Sequence, residues 1–107
     1  MAEPALDLSE IVDLYKVDAR RMVEKMREAS ARWDEIQQGG AARQDLRRLS
    51  HQLRGSGRTY GFSNVTRFSK ALESIMQKLE KAKLPADDRA RKAIEDIIER
   101  LAAAFAA

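Results

Sequence analysis

Apolar side chains in this chain recur at steps of three and four residues, and no segment sustains a strict alternation of apolar and polar positions. A period near 3.6 with none at 2 leaves the α-helix as the one regular element the chain can build. Leu8, Ile11, Val12, Tyr15, Ala19, Met22, Val23 and Met26 keep the helical spacing, and Trp33 and Ile36 extend it. Val65, Phe68, Leu72, Ile75, Met76 and Leu79 form a later block, and Ile94, Ile97, Ile98, Leu101 and Phe105 the last. The breakers, five glycines and two prolines, punctuate these blocks. Pro4 precedes the first, where Asp7 and Glu10 have the spacing of a capping box, with Leu6 and Ile11 as its hydrophobic staple. Gln37-Gln38-Gly39-Gly40 ends that helix, a glycine supplying the left-handed C′ position. Gly61-Phe62-Ser63 makes the next turn with Ser63 as N-cap, and Pro85 stands in the first turn of the last helix, where a missing N–H costs nothing. The pattern predicts helices over about 8–36, 41–60, 64–82 and 86–105, joined by short loops. The expected fold is all-α, an antiparallel up-down-up-down four-helix bundle, with residues 1–107 forming one domain around one modest core.

Composition removes several chemistries. Without cysteine there is no disulfide framework, thiol nucleophile or thiolate metal site. A single histidine rules out zinc motifs that need two imidazoles. Asp87 and Asp88 fit first-turn helix charges better than metal ligands. No Gly-rich phosphate loop or P-loop lysine motif is present, so no ATP site is expected. The longest apolar run, Leu101 to Ala107, is far short of the roughly 20 residues that span a bilayer. No basic stretch followed by an apolar one opens the chain. A cytoplasmic monomer that does not engage the membrane is expected.

The formal charge of +3 is unevenly placed. Between Ala41 and Tyr60 five arginines (Arg43, Arg47, Arg48, Arg54 and Arg58) face one acid, Asp45, a local charge of +4 that leaves −1 for the rest of the chain. The only histidine, His51, lies in the same segment. On a wheel of about 100° per residue, Leu46, Leu49, Leu53, Gly57 and Tyr60 form the core stripe, and His51 lands about 140° from Leu46. Around it fall Gln44, Arg47, Arg48, Arg54, Gly55 and Arg58, so the imidazole is expected to be exposed and flanked by guanidinium groups. Gly57 faces the core, where it permits close helix packing. Gly55 faces solvent one turn after His51, at a cost of about 1 kcal/mol relative to alanine, and packing gives no reason for it. Its economical use is to keep the space beside the imidazole free for an approaching molecule.

The run Ser50-His51-Gln52-Leu53-Arg54-Gly55-Ser56-Gly57, continuing to Tyr60-Gly61-Phe62, resembles the signature of histidine-containing phosphotransfer (HPt) domains. The likeness extends to Ala71-Leu72-Glu73 and so spans the two central helices. Arg54 stands where the family usually has lysine, keeping charge but changing donor geometry, and Gly57 where Ser or Ala is commoner. The resemblance implies a phosphoryl carrier, not an enzyme. His51 would be phosphorylated on a ring nitrogen and exchange the group with an aspartate on a response-regulator receiver domain. A sensor or hybrid histidine kinase would charge it, directly or through a receiver. No cofactor of its own is implied, the Mg2+ belonging to the receiver. Arg54, one turn along from His51, is the first candidate to stabilise phosphoryl oxygens, with Arg58 and Arg47 next. Arg47, Arg48 and Arg58 would steer the partner, Gln44 could hydrogen-bond it, and Gly55 would give it clearance. Two other readings compete. One is a nucleic-acid-binding helical domain using Arg43, Arg47, Arg48, Arg54 and Arg58 on phosphates, against which stand the small charge excess, two glycines on the segment and an inward Tyr60. The other is a docking module for a receiver or kinase that carries no phosphate.

Overall fold

The computed structural model describes residues 7–82 and 86–106. Pro4, Leu6 and Pro85, given roles in the reading of the sequence, lie outside these residues. Five helices and, among the described residues, no strand make up the chain: α1 (Leu8–Ala31), α2 (Trp33–Gln38), α3 (Ala41–Thr59), α4 (Ser63–Ala82) and α5 (Asp88–Ala104). The fold is an all-α helical bundle in which α3 packs most intimately on α4, α4 on α5, and α1 on both α3 and α5.

Local chemistry sets the helix ends. The Asp7 carboxylate accepts from the Ser9 N–H at 3.1 Å and starts α1. That is the N–H two residues on, whereas a capping box uses the one three residues on. Asp87 starts α5 through the N–H three residues on, accepting from Ala90 at 2.8 Å. At the α2–α3 junction Gly39 takes φ +76°, and at the α3–α4 junction Gly61 takes φ +80°. Both are left-handed positions that glycine occupies without a Cβ penalty. Ser63 is the first residue of α4 and not its cap, because the Phe62 carbonyl already accepts the Thr66 N–H at 3.0 Å.

The first helix predicted over 8–36 divides at Arg32, where φ −85° and ψ +58° interrupt the helical path. Tertiary anchoring accounts for the break. Arg32 reaches Asp45 of α3 at 3.1 Å and Glu35 at 3.2 Å. Beyond it Ile36 is fully buried, and the Arg43 guanidinium donates to the carbonyls of Ile36 (2.6 Å) and Gln37 (3.0 Å). These contacts hold α2 against α3, and Arg43 satisfies carbonyls that a helix C-terminus leaves orphaned. Arg43 is itself buried. It is a structural residue and not a surface cation, so it drops out of the nucleic-acid reading.

Ala19, Val23, Met26, Leu46, Leu53, Val65, Leu72, Met76, Ile94, Ile98, Leu101 and Phe105 fill the core. Each large side chain among them contributes about 1.5–3 kcal/mol by burial. Gly57 sets the α3–α4 spacing: a Cβ there would stand 3.0 Å from Val65 Cγ1 and Thr66 Oγ1. Tyr15 stacks on Tyr60 with ring centroids 4.4 Å apart and meets Phe105 edge-on at 5.8 Å, closing one end of the bundle. Two members of the predicted core stripes differ. Tyr60 is 38 % exposed, lying over Tyr15 at the rim. Leu8 is 77 % exposed, because Tyr15 already meets the end of α3 and the first two turns of α1 reach beyond it. Among the described residues no helix is long and apolar enough to cross a membrane.

Candidate functional site

Helix α3 turns Ala42, Leu46, Leu49, Leu53 and Gly57 into the core, which leaves His51 on its outer side with a side chain 66 % exposed. The ring is not free to rotate in solvent. Its Nδ1 lies 3.2 Å from Oε1 of Glu73, a buried residue of α4. An ionised carboxylate only accepts hydrogen bonds, so this contact requires the proton on Nδ1. The Nε2 atom has no partner among the described residues, and in the neutral ring with Nδ1 protonated it is the nitrogen that carries the lone pair. The other Glu73 oxygen, Oε2, is approached by Arg54 Nη1 at 3.2 Å, close enough for an ion pair but outside hydrogen-bond geometry. One carboxylate from α4 therefore ties together the imidazole and the guanidinium that α3 presents one turn apart.

Glu73 entered the reading of the sequence only within the Ala71-Leu72-Glu73 likeness and was given no role beside His51. The wheel for α3 places no acid around His51, because it sees one helix at a time. The signal available was an acid between Leu72 and Met76 in a helix whose inward positions are apolar. Such a carboxylate is costly to bury without partners.

An open cleft brings Gln44, Arg47, Arg48 and His51 together, with Gln52 and Glu73 completing its walls. Its cations are engaged: Arg47 lies 3.5 Å from Glu80 and Arg48 3.3 Å from Asp45. These pairs are exposed, so each contributes at most about 1 kcal/mol. Asp45 is already counted in the +4 of the sequence, so of these two acids only Glu80 reduces it further. Arg58 stands apart, in a separate depression with Gly61, Ser63, Thr66, Arg67 and Lys70. A Cβ built on Gly55 meets nothing within 4 Å, so the surface one turn from His51 is open. Ser56, at the edge of the core, lies 2.9 Å from the Tyr15 hydroxyl. Burial pushes the Tyr15 phenol up from its ordinary value, and the Ser56 bond offsets part of that rise.

Away from this face, Arg27 bridges Glu24 and Glu99. Its hydrogen bonds to Glu99 and then Glu24 raise the Arg27 pKa, and the bond from Arg27 lowers that of Glu99. No group of three or more histidine, cysteine, aspartate or glutamate side chains that could hold a metal occurs among the described residues.

Comparison with known proteins agrees with this geometry. No curated protein and no solved structure matches the chain. A family model does: the Hpt domain model matches residues 10–104, nearly the whole length. With a histidine set on the outer face of a helical bundle and the match running through all five helices, the chain belongs to the Hpt domain family, the phosphotransfer domains that work with histidine kinases and response regulators in two-component signalling.

Proposed function

We propose that the protein carries a phosphoryl group on Nε2 of His51 and exchanges it with the aspartate of a response-regulator receiver domain. The observation that carries the reading is the 3.2 Å contact between His51 Nδ1 and Glu73. It leaves the exposed nitrogen as the nucleophile without any prior proton transfer. On loading, the Nε2 lone pair attacks the phosphorus of the aspartyl phosphate, the N–P bond forms, and the P–O bond to the aspartate breaks, leaving a carboxylate. The ring gains positive charge as this happens, and the Nδ1 proton, already directed at Glu73, shares that charge with the carboxylate. The return transfer reverses each step.

Arg54 has guanidinium donors to spare beyond its contact with Glu73 and lies one turn from the nucleophile, so it suits the phosphoryl oxygens. Gly55 leaves room for the receiver surface, and Gln44, Arg47 and Arg48 line the cleft it would cover. In this reading the protein is a carrier rather than an enzyme, and the Mg2+ resides on the receiver. The test is to incubate wild type and His51→Gln with a phosphorylated receiver, follow the label by gel autoradiography, and melt both proteins. The expected result is complete loss of acid-labile, base-stable label with the fold kept, the loss of stability being no more than the roughly 1.5–3 kcal/mol of the hydrogen bond to the buried Glu73. Label remaining on folded His51→Gln overturns the proposal.

A further inference from the structure

The sequence alone leads one to expect a monomer, but the outer face of α1 carries a pattern that a lone chain does not use. Leu14 is 61 % exposed and Val17 45 %, and they are two of only four large apolar side chains so exposed among the described residues. Glu10 and Arg21 bracket them. With Glu10 as zero, Leu14, Val17 and Arg21 fall at about +40°, −20° and +20°, so the four residues make one narrow stripe spanning roughly 16 Å of helix. The stripe lies on the opposite side of α1 from the buried Tyr15, Ala19, Val23 and Met26. Glu10 and Arg21 are exposed, and neither enters an ion pair among the described residues.

We infer that this stripe is a contact surface for a second copy of the chain, paired antiparallel across a two-fold axis. In such a pair, residues equidistant from the axis along the helix face one another. The Glu10–Arg21 and Leu14–Val17 pairs share one midpoint, between Tyr15 and Lys16. A single register therefore sets each leucine on a valine and each glutamate on an arginine, twice over. Asp13 and Asp18 share that midpoint too and sit about 70° to either side of the stripe's centre, so acids flank the seam and oppose the pairing that Glu10 and Arg21 favour, which keeps the contact weak. Charge order is what selects a copy of this chain as the occupant: acid, two apolar residues, base, read along one strand, is its own complement when reversed.

The contact involves only about three turns of one helix per protomer. It falls well below the roughly 1,200 Å² of a standard interface and belongs to the weak, reversible class, with a dissociation constant on the order of 0.1–1 mM. Glu73 is on α4, which packs chiefly on α3 and α5, so pairing through α1 leaves both His51 sites open.

Sedimentation of the full chain from about 10 µM to about 1 mM tests the inference, with circular dichroism verifying that each variant folds. Wild type is expected to show a weight-average mass that rises with concentration. Glu10→Arg and Arg21→Glu, each of which sets like charges across the axis, should remain monomeric. The double variant Glu10→Arg/Arg21→Glu should associate again, as should an equimolar mixture of the two single variants. Phosphotransfer per protomer should be the same in all of them. A wild type that stays monomeric to about 1 mM overturns the proposal, and so does association that survives both single substitutions or fails to return in the double variant.

Discussion

Glu73→Gln isolates what the buried carboxylate does for His51, because it keeps the side-chain volume and removes the charge. A hydrogen bond to an ionised acceptor contributes about 1.5–3 kcal/mol and one to a neutral acceptor about 1 kcal/mol. At 3.2 Å the Nδ1–Oε1 contact is longer than the 2.7–2.9 Å typical of strong charge-assisted bonds, so the lower end of that difference applies. A loss of about 0.5–1 kcal/mol from the stabilisation of the developing ring charge slows transfer roughly 2- to 5-fold. Stability should move by no more than about 1 kcal/mol in either direction. Removing the carboxylate relieves its desolvation but also removes its half-exposed partner, Arg54. The rate is read as label transfer from a phosphorylated receiver. A second readout separates positioning from mere packing. His51 is the only histidine, so the ring nitrogens of uniformly labelled protein give one pair of 15N signals. Wild type should show the proton on Nδ1, and Glu73→Gln or Glu73→Leu should shift it toward Nε2, because the acceptor that holds it is weakened or gone. Transfer rate and tautomer both unchanged in a folded Glu73→Leu protein would refute the reasoning.

Three further outcomes follow from the same geometry. Gly55→Gln should keep the fold and gain up to about 1 kcal/mol, because glycine is a poor helix residue and a Cβ there meets nothing. Transfer from a receiver should nevertheless fall, while phosphorylation by phosphoramidate, too small to need clearance, stays as in wild type; equal receiver rates would show that the gap has no role. Arg54→Ala should slow transfer more than Arg47→Ala or Arg58→Ala does, and Arg54→Lys should be mild; single-turnover rates of the four variants rank the cations. The raised phenol of Tyr15 means that the folded state holds its proton longer than the unfolded chain, whose tyrosine titrates near 10. The stability this provides is fully present below about pH 10 and is lost as pH rises above it. Urea midpoints between about pH 8 and pH 11 should therefore fall more steeply for wild type than for Tyr15→Phe; parallel curves would exclude Tyr15 as the source.

Helix periodicity carried most of the architecture, because burial of one face per helix is a local property of sequence. Leu46, Leu49, Leu53 and Gly57 fall on one stripe by arithmetic alone, and the same four residues are buried. Gly39 was legible for a related reason, since a left-handed backbone has few side chains that tolerate it. What escaped was set between helices. The interruption at Arg32 depends on Asp45 and on the carbonyls that Arg43 reaches, and no wheel contains those distances. Leu8 and Tyr60 fit their stripes in period but lie where neighbouring helices stop. The acid beside His51 comes from twenty-two residues away on another helix, so a local count of charge around the imidazole could not return it.

That miscount bears on what the site is for. Five arginines against one acid suggest a surface that attracts polyanions, yet one of the five is buried in the fold and three others are paired with acids. Arg43 caps α2, Arg47 faces Glu80, Arg48 faces Asp45, and Arg54 faces Glu73. Proteins that bind nucleic acid through phosphates rely on many cations free to displace counterions, and of the five arginines Arg43 is buried while Arg47, Arg48 and Arg54 each lie beside an acid. A carrier has a different requirement. It must accept a phosphoryl group from one partner and release it to another, so the loaded state cannot lie in a deep well. A strongly positive field would bind the phosphoryl group equally in the loaded state and in the transition state, and such uniform binding lowers the well without speeding its escape. Local pairs keep the average field near His51 low. One carboxylate aimed at Nδ1 and one arginine within reach supply charge where it changes during transfer. The near-neutral surroundings of an exposed imidazole are thus what reversible phosphotransfer calls for.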